Sequence, residues 1–108
     1  MLESIFQDIQ FILFYYARFK GYSLEETELG KKETQTRIFH LQTLIYLYLA
    51  PLHDNFKKFL DVYQEFLYEE SQNTANKKNV NTDKLTAAAS EFQASVVDLL
   101  KSKGYSYF

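Results

Sequence analysis

Cysteine and tryptophan are missing from this 108-residue chain, glycine occurs three times and proline once. The lack of cysteine removes disulfides, thiolate metal sites and cysteine nucleophiles together. With so little Gly and Pro, the chain is short of the turn residues that an all-β fold of many strands demands. Basic charge is also scarce, since 12 Lys and Arg stand against 14 Asp and Glu, for a formal net charge of −2. A phosphate backbone finds no excess of cations here, so no nucleic-acid partner is expected. The longest apolar run, Ile38 to Leu52, would reach roughly 22 Å as a helix, against the ~30 Å of a bilayer core. No membrane span is expected. The first twenty residues lack the basic leader and small-residue cleavage site of a signal peptide, and they carry Glu3 and Asp8. A cytoplasmic location is the expectation.

What the chain has in abundance is large rings, ten Phe and nine Tyr. They are arranged with helical period. Leu2, Ile5, Phe6, Ile9, Ile12, Leu13, Tyr16 and Phe19 recur at i, i+3, i+4 and i+7, the spacing of one helical face. Glu3 and Asp8 near the start and Arg18 and Lys20 near the end complement the helix dipole, and Gly21 supplies a stop. Phe11, Phe14 and Tyr15 fall outside that stripe.

Ser23-Leu-Glu-Glu26 is a capping box, in which a hydroxyl and a carboxylate each satisfy an orphan amide of the first turn. It predicts a short helix over 24–29 that ends at Gly30 or crosses it at a cost of ~1 kcal/mol. The segment Ile38 to Leu52 follows, IFHLQTLIYLYLAPL, without one Asp, Glu, Lys or Arg. A helix so nearly apolar all round belongs in the interior, and a central helix over 34–50 is predicted, with Leu41, Leu44, Ile45 and Leu49 buried. Pro51 ends it, because the proline ring disfavours helical geometry at Ala50, and is well placed to open the next helix. Leu52, Phe56, Phe59, Leu60, Tyr63, Phe66 and Leu67 mark a helix over 51–70. Residues 71–81 are polar and Asn-rich and are expected to form a mobile loop. Asn81 or Thr82 then caps a last helix over 82–103, with Leu85, Ala88, Ala89, Phe92, Val96, Leu99 and Leu100 on its inner face. The pattern defines one all-α domain over residues 1–108, an antiparallel bundle of about four helices, near 2–20, 34–50, 51–70 and 82–103, with one extra short helix.

Chemistry is sparse. His40 and His53 have no His, Asp or Glu three or four residues away, and the Glu-x-x-His pairing of metal-binding bundles is missing. No metal and no cofactor are expected, and His40 reads as a hydrogen-bonded core residue. Glu65, Glu69 and Glu70 stand on the polar side of their helix, where no burial prepares them for acid–base work. No phosphate loop or nucleophile motif occurs, and no enzymatic activity is expected.

The surplus of rings carries the functional expectation. Phe11, Phe14 and Tyr15, joined by Tyr105, Tyr107 and Phe108 of the aromatic tail, are the candidate partner-binding residues, since exposed aromatic patches mark interfaces. The reading is a small non-enzymatic protein-interaction module of the inhibitor, immunity or anti-defence kind, acting on a larger protein. A structural homo-oligomer, or a bundle enclosing an apolar ligand, is the alternative.

Overall fold

A computed structural model of the chain describes residues 2–72 and 81–102. Four helices account for almost all of them, and no strand occurs among the described residues. They are α1 (Leu2–Ala17), α2 (Leu24–Tyr48), α3 (His53–Gln72) and α4 (Asp83–Ser102), with 3-10 turns at Phe19–Gly21 and Ala50–Leu52. The small all-α bundle expected from the sequence is the fold.

Local chemistry sets the joints. The Ser23 hydroxyl accepts from the Glu26 amide and the Glu26 carboxylate accepts from the Ser23 amide, each at 3.1 Å, so the capping box opens α2. Pro51 does break the path, but two residues are spent turning. Leu49 leaves helical geometry at φ −130° and ψ 52°, Pro51 sits in the 3-10 turn, and α3 begins at His53. At the start of α4 the Asn81 side chain accepts from the Asp83 amide at 2.8 Å. The expected loop is narrower at its front, because α3 continues to Gln72; positions 73–80 lie outside the described residues.

Each helix packs antiparallel to the next. Tyr15 meets Thr27, Asp8 meets Arg37, and Asn55 meets Ser95, each pair joined across neighbouring helices running in opposite directions. The core is one continuous cluster drawn from all four helices. Phe66 of α3 drives edge-on into Tyr16 and Phe19 of the α1 end, with centroids 4.9 and 5.7 Å apart, which ties the diagonal of the bundle. Phe56 and Phe59 pack on Phe92 of α4.

Two expectations need correction. The short helix over 24–29 is not a separate element, since α2 runs unbroken through Gly30 for 25 residues. Gly30 does not stop the helix because its role is packing. A β-carbon there would lie 2.0 Å from Tyr15 Cε2, so the missing side chain is what lets the Tyr15 ring lie against α2. The second correction concerns burial. Leu41, Ile45 and Leu49 are buried as expected and Leu44 is half-buried, yet Phe39, Tyr46, Leu47 and Tyr48 are exposed. In a four-helix bundle each helix occupies a corner and touches two neighbours, so even an uncharged helix keeps one side in water.

The Gly30 contact makes a prediction with a reversal of sign. Gly30→Ala alone should destabilise by about 1–3 kcal/mol, because Tyr15 is hydrogen-bonded and cannot swing away freely. In a Tyr15→Ala background the same change should stabilise, by up to ~1 kcal/mol, through helix propensity alone. Urea denaturation of the four proteins measures both; a Gly30→Ala effect of the same sign in the two backgrounds would refute the contact.

Candidate functional site

Tyr15 is a core residue. It is only 6% exposed, and its hydroxyl donates to the Thr27 carbonyl at 2.9 Å. The expectation that it anchors a partner is thereby corrected, for the gap at Gly30 draws its ring between α1 and α2. Phe11, one turn earlier, is half-buried. It stacks parallel to Tyr15 with centroids 6.1 Å apart, and the Arg37 guanidinium lies 4.9 Å from its ring centroid. Phe14 is exposed, at the rim of a groove shared with Thr82 and with Asp83 and Thr86 of α4. The three rings expected to act together are therefore split among core, seam and surface. Tyr105, Tyr107 and Phe108 lie outside the described residues.

The same seam holds a polar cluster that the spacing of the chain did not disclose. Asp8 follows Ile5 by three residues and precedes Ile12 by four, so it shares their inward face. Its side chain is 6% exposed, and its carboxylate is claimed by two groups of α2. Arg37 Nη1 donates to Oδ1 at 3.1 Å, and His40 Nδ1 stands 2.5 Å from Oδ2. Arg37 Nε also donates to Glu33 Oε1 at 3.0 Å, the i, i+4 pair visible in the sequence. Arg37 and His40 are three residues apart, one turn, so a single carboxylate on α1 is gripped by both. The His40 side chain is 45% exposed, so it is hydrogen-bonded as expected but is not a core residue. A histidine oriented by a buried carboxylate is the starting point of a general base. Here the hydroxyls one turn away on α2 are committed elsewhere: Thr36 donates to the Lys32 carbonyl and Thr43 to the Phe39 carbonyl. The cluster ties α1 to α2, a latch between the two helices. Among the described residues no group of three or more His, Asp and Glu side chains could hold a metal ion, and no helix is long and apolar enough to cross a membrane.

Three buried phenols complete the interior chemistry. Burial raises the pKa of Tyr15, Tyr16 and Tyr63, with the negative charge of Glu70 adding to each. Tyr63 is pushed up to about 12 from an ordinary value near 10. Its hydroxyl is buried without meeting hydrogen-bond geometry, and the neighbouring Tyr16 hydroxyl offsets only part of that burial.

The candidate functional site is the outer face of α2. Phe39, Thr43, Tyr46 and Leu47 stand at i, i+4, i+7 and i+8, one side of a helix. Phe39 is 71%, Tyr46 50% and Leu47 66% exposed. The Tyr46 ring is held edge-on to His53 with centroids 4.5 Å apart, so its direction is fixed by the turn at Pro51. Since Thr36 and Thr43 turn their hydroxyls into their own backbone, they leave mainly their methyl groups to this side. No charged residue occurs from Ile38 to Leu52 to interrupt it. Elsewhere the exposed large apolar side chains Phe14, Leu29 and Tyr68 stand one each on α1, α2 and α3, and ion pairs join Lys57 to Asp61 at 3.6 Å and Lys84 to Glu65 at 2.8 Å.

Comparison with protein-family models, with curated proteins and with solved structures finds no match for this chain.

Two measurements check the interior. Phenols kept neutral in the fold, but free to ionise near pH 10 once unfolded, bind their protons more tightly in the native state. The stability they provide is complete below about pH 10 and is lost as pH climbs toward the folded value of Tyr63, about 12. The part of the tyrosinate absorbance that belongs to the three buried phenols should therefore appear only together with loss of helical circular dichroism. Ionisation of all nine tyrosines in a bundle that stays folded would contradict their burial. Separately, Asp8→Asn should lower stability at neutral pH by about 1.5–3 kcal/mol, the range of hydrogen bonds to a charged group. Because Arg37 and His40 reach water, the upper end is not expected. An unchanged urea midpoint would show that the latch contributes nothing.

Proposed function

We propose that this chain is a small non-enzymatic interaction module that docks another protein through the outer face of α2. The observation that carries the reading is that Phe39, Tyr46 and Leu47 stay exposed on a face without charge, in a bundle whose core is already complete without them. Contiguous apolar surface of this kind generally marks an interface, and aromatic residues supply the anchors that interfaces favour. Fully burying one such side chain is worth roughly 1.5–3 kcal/mol, so three together are a substantial drive toward association. The size, mild acidity and committed hydroxyls suit a blocking protein of the inhibitor, immunity or anti-defence class, acting by occupancy rather than by chemistry, inside the cytoplasm. This assigns docking to a different helix face from that of Phe11 and Tyr15, and leaves Phe14 as a separate exposed ring.

Affinity capture from an extract of the source organism tests the proposal. A partner should be retained by the native chain, and by Phe14→Ser, and lost by the double variant Phe39→Ser with Leu47→Ser. Both side chains are solvent-exposed, so the double variant should keep its helical content and thermal midpoint. A partner retained equally by all three proteins would remove the outer face of α2 from the function.

A further inference from the structure

We propose that, when no other protein occupies it, the outer face of α2 is covered by the same face of a second copy, with the two α2 helices antiparallel about a two-fold axis at Thr43. This rests on the reading of that face as a docking surface. The pattern of side chains suits a twofold. Phe39 and Leu47 lie four residues on either side of Thr43, about one helical turn each way. An antiparallel copy centred there sets Phe39 beside Leu47 of the second copy, and repeats the contact across the axis. Such an interface is isologous, so one patch must complement itself. Large residues flanking a small centre do so, because Thr43 against Thr43 lets the helix axes approach to the usual 8–10 Å. The Thr43 hydroxyl, which donates to the Phe39 carbonyl at 3.0 Å, is not stranded by this burial.

Charge permits the same occupant. A twofold sets the face against itself, which a face charged with one sign resists and an uncharged one allows. The run from Ile38 to Leu52 has no fixed charge to repel itself, and none to attract a charged partner. Area sets the strength. At ~200 Å² for a large side chain, the exposed parts of Phe39, Tyr46 and Leu47 amount to roughly 375 Å² per copy. Gln35, Gln42 and Thr36 along the margins bring the pair toward the ~1,200 Å² at which specific interfaces begin. The pairing is accordingly one that dilution reverses.

Sedimentation of the full chain over a wide concentration series tests this, together with single-cysteine crosslinking in a chain that has no cysteine of its own. The expected result is dimer at high concentration and monomer on dilution. Leu47→Asp should weaken the dimer at least tenfold with an unchanged circular dichroism melt. Thr43→Cys, placed on the axis, should crosslink rapidly under mild oxidation, whereas Asp61→Cys on the outer side of α3 should not. Monomer at every concentration, a dimer indifferent to Leu47→Asp, or equal crosslinking at the two positions overturns the proposal. A monomer that still captures a partner, lost on Phe39→Ser with Leu47→Ser, overturns the second copy alone and leaves the docking reading standing. If neither self-association nor capture responds to those substitutions, both fall.

Discussion

The contact of the Tyr15 ring with the bare backbone at Gly30 governs how α1 and α2 meet. With no β-carbon in the way, the ring lies against α2 and its hydroxyl reaches the Thr27 carbonyl. That fixes the separation of the two helices at one point and their register along the axis. Seven residues earlier on α1, about two turns away, the same register delivers Asp8 to Arg37 and His40. A ring on a glycine and a carboxylate between Arg37 and His40 are thus two ends of one seam. The apolar end supplies close packing and the polar end specificity, since a slip of one turn would strand a buried carboxylate.

That seam also decides which side of α2 remains free. Arg37 and His40 point to α1, while Gln35, Ile38, Phe39 and Gln42 border the groove against Leu60, Tyr63 and Leu67 of α3. What is left over is the arc of Thr43, Tyr46 and Leu47, with the exposed Phe39 at its edge. The arc is apolar because of its sequence, but it is exposed because of geometry. A fifth element would be needed to cover it, and the four described helices have their inner faces spent on one another.

Much of the bundle was legible along the chain because its signals are local. The Ser23 capping box, the break at Pro51, and the i, i+3, i+4 stripes all act within one or two turns, and each is found where expected. The features that were not legible depend on partners distant in sequence. Asp8 is paired 29 and 32 residues away, and an acidic residue near a helix start has an adequate local explanation in the dipole. Its position between Ile5 and Ile12, on the buried stripe, was the available signal. Gly30 reads as a stop until Tyr15 is known to lie on it. Likewise Phe11 and Tyr15 look alike as off-stripe rings, and only the helix that approaches them makes one a seam residue and the other core. An apolar run suggests a buried helix, but periodicity reports what a surface is made of and not whether anything covers it.

The contrast among the outer faces is the last step. Water-facing positions of α3 and α4 carry Lys57, Asp61, Glu65 and Lys84, cross-linked by ion pairs that contribute little to stability but keep a surface soluble. Phe39 and Leu47 are 71% and 66% exposed and stand outside the buried core cluster. A charged side chain there would cost the fold little and would remove a liability to aggregation. Folding alone therefore does not account for these two residues, and the proposed occupant would. The exposed face of α2 is in this sense a part of the chain that its own bundle does not explain, which is why docking is proposed there.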